Sequence, residues 1–531
     1  MENKKNIKNS KKIKKREATQ KQTSKFFDAE NFSNKKQHIL TNENNEDKKM
    51  QKYMQKQEKN VKKQKKQALN KVLSEDKFSK NVINYRKKAV EHKENKNQKH
   101  EKRIKKGNKY LLRKKDKLRE IYLTIDKFNN NDKKTIVYFI DSFFPVIDGV
   151  VAVLDNYAKQ MKKYYNVVIC APKHQGQCLK NDDYFVLYAD SVSVKSQGYD
   201  LGFPQLDSTF QKFISLLNID LIHLQAPFNM GNYGLWLAKR RKIPCFITFH
   251  SQFKQNFYSA VKNDMLSTML TKILMVNYQK ATLALTMNDF ARKVMREYGV
   301  KKKIEIIPNA TNLKPKEFEE AQENQILKKH GIDKNKFNLL FVGRFVEVKN
   351  VYFILDVISE LYKINKDFNF IFLGYGPEQS KMQKICVENG LENIVKFTGK
   401  IDDLDEKAII IKNSNLLFFP SIYDTDGIVK IECACYEVPT LCIEGTGVAS
   451  NMTDNVNGFI EKNNKEAFVQ RLNDLIKNVD FVQKIGKNAK RDIYITWEEV
   501  CERLKNLYEK YLNSHTLQYS KNNKNKSTEK W

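Results

Sequence analysis

The chain has 531 residues and a formal net charge of +34, from 96 Lys+Arg against 62 Asp+Glu. That length predicts two to four domains. No window of about 18 apolar residues occurs, which excludes a membrane-spanning helix. None of the eight cysteines forms a CxxC pair, which excludes a disulfide framework and a zinc site and fits a cytosolic protein.

The charge is uneven. Residues 1–134 hold 43 Lys+Arg and 17 Asp+Glu, whereas the remaining 397 residues hold 53 and 45. This Lys-, Asn-, Gln- and Glu-rich extension has too few apolar residues to offset the chain entropy lost on ordering, so disorder or solvated helix between about residues 47 and 125 is expected. No apolar core follows the early lysines, so no secretory leader is expected. The arm can dock on an anionic membrane, notably through Tyr110-Leu-Leu-Arg-Lys-Lys and Leu118-Arg-Glu-Ile-Tyr122. It can bind nucleic acid by counterion release, or it can be an extension with no fixed role. Sparse aromatics weigh against RNA recognition.

Order is predicted from residue 135. The apolar, β-branched run at 135–140 reads as a buried parallel strand. Further strands are predicted at 167–170, 184–188, 221–224, 245–249, 283–286 and 304–307. Helical periodicity lies between most of them, at 149–163, 208–217, 233–241, 266–279 and 288–298. After a polar connection with a short helix near 316–329, a second alternation begins. Its strands fall at 338–342, 369–373, 395–398, 416–419 and 440–443, and its helices at 351–364, 377–389, 403–412 and 428–436. Helices at 465–475 and 482–493 follow, then a last helix to about residue 512 and a polar tail. This alternation predicts two α/β domains, over 135–310 and 311–495, with a ligand cleft between the carboxyl ends of two parallel sheets. Residues 496–513 form the closing helix and 514–531 the tail.

Three motifs carry chemistry. In Pro420-Ser-Ile-Tyr-Asp-Thr-Asp-Gly-Ile-Val-Lys-Ile-Glu432, Gly427 opens a helix directly after a strand, and Asp424 and Glu432 flank the turn. A strand that turns into a helix N-terminus presents free N–H groups to an anion. Carboxylates beside it suit sugar hydroxyls, so the pair suggests a sugar attached to a phosphate. In Gly343-Arg-Phe-Val-Glu-Val-Lys-Asn350, Arg344 and Lys349 set two cations near one turn, as a diphosphate leaving group needs; the plainer reading is a solvated loop pair. In Leu373-Gly-Tyr-Gly-Pro377, Gly374 and Gly376 follow a strand, which is equally a tight αβ connection.

Taken together, G-R-x4-K-N, G-x-G-P, Phe397-Thr-Gly399 and the Asp424…Glu432 pair resemble the C-terminal half of the family 4 glycosyltransferases. Asp220-Leu-Ile-His-Leu-Gln-Ala-Pro-Phe228, Ile243-Pro-Cys-Phe-Ile-Thr-Phe-His-Ser-Gln252, Pro145-Val-Ile-Asp-Gly-Val150 and Ile306-Ile-Pro-Asn309 resemble the N-terminal half. The resemblance spans about residues 135–512 and implies the GT-B fold, two Rossmann-like domains with a cleft between them, and a retaining hexosyltransferase that needs no metal and no cofactor beyond its donor. It implies that Arg344 and Lys349 bind the donor diphosphate, that the backbone N–H groups of Ile428 and Val429 face it, that Glu432 holds the ribose, and that Asp424 contacts the donor sugar. Asp424 stands where the family has Glu, one methylene longer. The resemblance also implies that His250 lies near the donor sugar, that Gly343 and Gly376 line the nucleotide site, and that Lys400 lies near the base. Gly149 matches the glycine-rich first turn, with Asp148 in place of the second glycine. His223 reads as structural, and His250 can also be read as a satisfied strand-end histidine. Asp424-Thr-Asp426 mimics a metal-binding Asp-x-Asp.

The expected donor is a nucleotide diphosphate sugar such as UDP-glucose. The motif version with Tyr-Asp-Thr resembles bacterial enzymes that glycosylate diacylglycerol or cell-envelope polymers, so a lipid or envelope acceptor is expected, with a soluble or polysaccharide acceptor as the alternative. Lys239-Arg-Arg-Lys242 and the region 253–269 give the first domain a cationic, partly apolar face, which makes an anionic membrane surface a further expected partner. Nucleic acid is not expected. The expected location is cytoplasmic, peripheral at the inner face of the membrane. A non-catalytic GT-B shell acting as an adaptor is the reading from another class, as is a sugar-nucleotide epimerase. Intact Arg344, Lys349, Asp424 and Glu432 favour the transferase over the adaptor.

Overall fold

The computed structural model describes residues 118–146, 148–178, 181–194 and 199–528. The expectations for residues 1–117, including the segment from Tyr110, lie outside the described residues. The chain divides into two units, 1–120 and 121–531, and everything below concerns the second.

Its first sheet is parallel throughout, in the order β3-β2-β1-β6-β7-β8-β9. In chain order the elements are β1 (Thr135–Phe139), α1 (Gly149–Met161), β2 (Asn166–Pro172), β3 (Phe185–Ala189), the antiparallel pair β4 (Ser191–Val194) and β5 (Tyr199–Gly202), and α2 (Ser208–Leu216). They continue with β6 (Leu221–Leu224), α3 (Asn229–Arg241), β7 (Cys245–Phe249), α4 (Phe253–Val261), α5 (Asp264–Lys280), β8 (Leu283–Thr286), α6 (Asp289–Glu297) and β9 (Ile304–Ile306). The five inner strands are buried throughout, as apolar runs covered on both faces must be, and the edge strands β3 and β9 are partly exposed.

The second sheet is also parallel, in the order β12-β11-β10-β13-β14-β15. Its elements are α7 (Glu320–Lys329), β10 (Phe337–Val342), α8 (Val351–Ile364), β11 (Phe368–Leu373), α9 (Gln379–Glu388), β12 (Val395–Gly399), α10 (Leu404–Lys412), β13 (Leu416–Phe418), α11 (Ile428–Cys435), β14 (Thr440–Ile443), β15 (Phe459–Glu461), α12 (Lys465–Lys477) and α13 (Val479–Asp492). The last helix, α14 (Trp497–Thr528), crosses back: Trp497, Val500, Leu504 and Tyr508 are buried in the core of the first domain. The Tyr508 hydroxyl meets His223 Nδ1 at 2.5 Å, and His223 Nε2 meets Thr248 Oγ1 at 2.7 Å. His223 is therefore structural, as its place inside a strand suggests.

Two boundaries differ from the sequence reading. The first domain begins before residue 135: residues 121–129 are helical, Ile125 is buried, and Tyr122 packs edge-on against Phe213 with centroids 4.9 Å apart. A helix reaching about residue 125 is one of the two expected alternatives, but as a solvated one; here Ile121 and Tyr122 are half-buried. At the other end, α14 runs to Thr528 and does not stop near residue 512.

Both sheets reverse strand order at one point, between β1 and β6 in the first and between β10 and β13 in the second. Such a switch point opens a crevice at the carboxyl ends of the strands, where α/β proteins hold ligands. The loops leaving β10 and β13 are the two that carry Arg344, Lys349 and Asp424.

Candidate active site

The β10 loop is pinned by glycine. Gly343 has φ +156°, and a Cβ on Gly374 would lie 1.9 Å from the Gly343 carbonyl oxygen, so the two loops touch backbone to backbone. Likewise a Cβ on Gly376 would lie 2.2 Å from the Phe345 carbonyl oxygen. Close packing of the β10 and β11 loops thus accounts for Gly376, a residue expected to face the nucleotide. Beyond Gly343 the chain makes a 3-10 turn over Glu347–Lys349 and then Asn350, in the left-handed region at φ +62°, donates from Nδ2 to the Pro420 carbonyl at 3.1 Å. That bond ties the Lys349 turn to the β13 loop.

The result is a close ion pair. Lys349 Nζ lies 2.5 and 2.6 Å from the two oxygens of Asp424, and both side chains are about three-quarters buried. Eight residues on, Glu432 Oε1 pairs with Lys407 Nζ of α10 at 2.7 Å. Arg344 is exposed, with no ion pair among the described residues. Lys400 is exposed and pairs with Asp402 at 2.5 Å. Gly427, at φ +102°, starts α11 without a side-chain cap, so the first-turn N–H groups of Ile428 and Val429 have no capping partner.

The carboxylates of Asp424 and Asp426 diverge. Asp426 is buried, 3.1 Å from Lys430 Nζ, and accepts from Asn309 Nδ2 at 2.8 Å. Each acid of the Asp-x-Asp spacing thus has its own lysine, and the two do not form a chelate.

The first domain reaches the same loop. Thr425 Oγ1 donates to the His250 carbonyl at 2.7 Å, Gln252 Nε2 to the Tyr423 carbonyl at 3.1 Å, and Asn288 Nδ2 to the Thr425 carbonyl at 2.8 Å. These bonds bring His250 and the acid loop together. His250 Nε2 faces Gln225 Oε1 at 2.9 Å, and burial pushes the imidazole down to about 4, so it is neutral at physiological pH. The neighbouring amide of Gln225 is buried, and its Nε2 has no partner. A cavity of about 500 Å3 opens between Phe290 of the first domain and Glu444, Thr446 and Ser450 of the second; Arg344, Lys349 and Glu432 do not line it.

At the first switch point the geometry departs from a phosphate turn. Asp148 caps α1, accepting from the Val151 N–H at 2.8 Å, which places a carboxylate at the helix N-terminus. Gly149 is exposed, and a Cβ there would meet nothing within 4 Å. Sequence reasoning passed over Asp141, whose oxygens accept from Met230 N at 2.7 Å and Gly231 N at 3.4 Å at the start of α3. Burial pushes this carboxyl up to about 7, against the pull of those N–H groups. It also passed over Lys407 and Gln225. Lys407 had a signal, a lysine on the helix before the acid motif, but only the fold decides which acid it meets.

These shifts set a pH dependence. Below about 6.5 the unfolded chain protonates both histidines, whereas folded His250 stays neutral to about 4 and folded His223 to about 3. Each therefore contributes stability that is lost as pH falls from 6.5. Asp141, raised above its unfolded value, acts oppositely, and its contribution is lost as pH rises toward 7. Between pH 5 and 6 the net of these three groups is about +1.4 kcal/mol per pH unit, and Asp141→Asn should steepen it by about the same amount. Urea midpoints across that range test this, and an unchanged slope in the variant would place the Asp141 pKa near its ordinary value.

Among the described residues no helix is long and apolar enough to cross a membrane. Two family models match the chain: "Glycosyltransferase Family 4" over residues 147–314 and "Glycosyl transferases group 1" over residues 322–492, together well over half of it. An alpha-monoglucosyldiacylglycerol synthase of Streptococcus pneumoniae is 23% identical over 57% of this chain and 69% of its own. Another, of Acholeplasma laidlawii, is 22% identical over 66% and 90%. An uncharacterised glycosyltransferase of Methanocaldococcus jannaschii is 24% identical over 69% and 96%. Among solved structures, Anabaena HepE in complex with UDP and glucose superposes with a TM-score of 0.56 at 15% identity, over 70% of this chain and 99% of that one. Sucrose-phosphate synthase of Thermosynechococcus elongatus gives 0.59 at 15%, over 72% and 100%. The chain belongs to the family 4 glycosyltransferases and is a hexosyltransferase with the GT-B fold.

Proposed function

We propose that the chain transfers a hexose, with retention, from a nucleotide diphosphate sugar to a diacylglycerol-type lipid, with UDP-glucose the foremost donor. One observation supports the site assignment: the Lys349–Asp424 ion pair joins the loops that leave β10 and β13 at the switch point, three residues before the uncapped start of α11. The donor and acceptor are supported by the names of two relatives, both alpha-monoglucosyldiacylglycerol synthases, and by the UDP and glucose bound to the similar Anabaena structure.

On this reading the donor diphosphate draws Lys349 away from Asp424, and the sugar hydroxyls take up the freed carboxylate. Glu432, held by Lys407, accepts from the ribose hydroxyls. The bond from sugar C1 to the phosphate oxygen breaks, and the acceptor hydroxyl oxygen bonds to C1 on the same face. The hydroxyl proton passes to the departing phosphate. Charge that develops on the diphosphate is met by Lys349, Arg344 and the first turn of α11. No metal is needed for this, so turnover should survive a chelator. Neutral His250 supplies a hydrogen bond near the sugar, not a charge. The enzyme would act from the cytoplasmic side as a peripheral protein.

The test offers the purified protein UDP-, GDP- and ADP-glucose with and without a lipid extract and follows nucleoside diphosphate release and glycolipid formation. No release under any condition would sink the transferase reading for this chain. Glu432→Ala should raise the donor KM roughly 10- to 100-fold, the worth of a hydrogen bond to a charged group. An unchanged KM would move the ribose elsewhere.

A further inference from the structure

Helix α5 leaves an apolar stripe in solvent. Its inward face carries Met275, Tyr278 and two short polar residues, Ser267 and Thr271, all of them buried. The two short hydroxyls return to the helix itself, Ser267 Oγ to the Asn263 carbonyl at 2.6 Å and Thr271 Oγ1 to the Ser267 carbonyl at 2.7 Å. Its outward face carries Met265, Met269, Ile273 and Val276, at helical spacing and 85, 51, 51 and 43% exposed. The preceding helix α4 adds exposed Tyr258 and Val261. A soluble helix normally buries its apolar stripe; an exposed stripe of this extent marks a surface that something covers.

The surroundings say what covers it. From residue 228 to residue 280 the chain has eight Lys or Arg and a single acid, Asp264, which is already paired with Lys254 at 2.9 Å. Exposed Lys262 and Lys272 lie on α4–α5 itself. On the adjoining α3, which meets α5 through Asn232 and Asn277, Trp236 is half-exposed with Arg240 over its ring at 5.3 Å. Methionine, isoleucine and an indole ringed by lysine and arginine suit the boundary between anionic headgroups and acyl chains. The face also begins at the cleft, since α4 starts three residues after His250 and Gln252 touches the acid loop.

We infer that the α4–α5 face, with Trp236 at its edge, docks on the surface of an anionic bilayer with its apolar residues inserted among the headgroups. The face would serve the lipid acceptor proposed above, on which its purpose rests, by setting the cleft mouth against the membrane.

The test is flotation of the full chain with vesicles of phosphatidylcholine alone or with added phosphatidylglycerol, for wild type and for the triple variant Met265→Ser, Met269→Ser, Ile273→Ser. Wild type should bind the anionic vesicles, and the triple variant should bind them at least tenfold more weakly with an unchanged thermal midpoint, since all three side chains point to solvent. Lys262→Glu with Lys272→Glu should weaken binding in the same direction. Equal binding by wild type and triple variant would overturn the inference and assign adsorption to another part of the chain. A dimer in sedimentation that the triple variant converts to monomer, with vesicle binding unchanged, would overturn it in favour of a second copy. Vesicle binding that depends on this face without glycolipid formation would leave the docking surface standing and refute the lipid acceptor.

Discussion

Replacing Lys349 by alanine is expected to lower kcat about 100- to 1,000-fold while the protein stays folded. In the proposed function this ammonium meets charge on the departing diphosphate, and removing one such preorganised donor costs that much in other enzymes. Its position is not accidental to one contact. The 3-10 turn over Glu347–Lys349 is fixed from below by Gly343 against Gly374 and from the side by Asn350 on Pro420. Nζ also lies 5.5 Å from the centre of the Phe419 ring, a second restraint on the side chain. Little stability is at stake, because the freed Asp424 carboxylate keeps about a quarter of its surface in water. Steady-state rates with a UDP-sugar, beside thermal midpoints, separate the two effects. Lys349→Arg should recover only part of the rate, since a planar fork does not replace a point charge in a tight turn. Wild-type kcat in Lys349→Ala would show that the diphosphate is held elsewhere.

Much of this arrangement was legible in the sequence because the parallel strands are short apolar runs, and a run buried on both faces looks the same wherever it sits in the sheet. Leu221–Leu224, Cys245–Phe249, Leu283–Thr286 and Thr440–Ile443 are read with the bounds they have in the structure. What escaped has a common physical cause. Strand β15 is three residues at a sheet edge, and β4 and β5 carry Ser, Asp and Gly, so none has a core signature. Helix α5 has apolar residues on both faces, so its period does not say which is inside: Met275 and Tyr278 are buried with Ser267 and Thr271, while Met265, Met269 and Ile273 are exposed. At the site, Arg344, Lys349, Asp424 and Glu432 stood out by spacing. Their protein partners did not, because the Lys407–Glu432 pair joins α10 to α11 and the Gln225–His250 pair joins two strand ends. The Asp426–Lys430 pair is different: four residues apart across a helix start, its two members had a readable spacing.

That pair sets the second large effect. Lys430→Ala should destabilise the protein by roughly 3–5 kcal/mol, the cost of leaving a buried carboxylate without its partner. Lys430 is 2% exposed, and its ammonium lies 3.1 Å from Asp426 and donates to the Val448 and Ser450 carbonyls at 2.8 Å each. The remaining Asp426 oxygen accepts from Asn309, so the cluster is satisfied throughout. Alanine would strand one charge and two carbonyls at once. Asp426→Asn combined with Lys430→Met should cost less than Lys430→Ala alone, because the charge then disappears while the carbonyls still go unpaired. The cluster also joins the domains: Asn309 comes from the first, and Ser450 Oγ accepts from the Phe290 N–H at 3.4 Å. Transfer by Lys430→Ala should therefore fall even where the variant remains folded, as the acid loop loses its hold on the first domain. Urea unfolding of the three proteins at neutral pH measures the order, and a Lys430→Ala midpoint equal to wild type would mean that Asp426 reaches water once its lysine is gone.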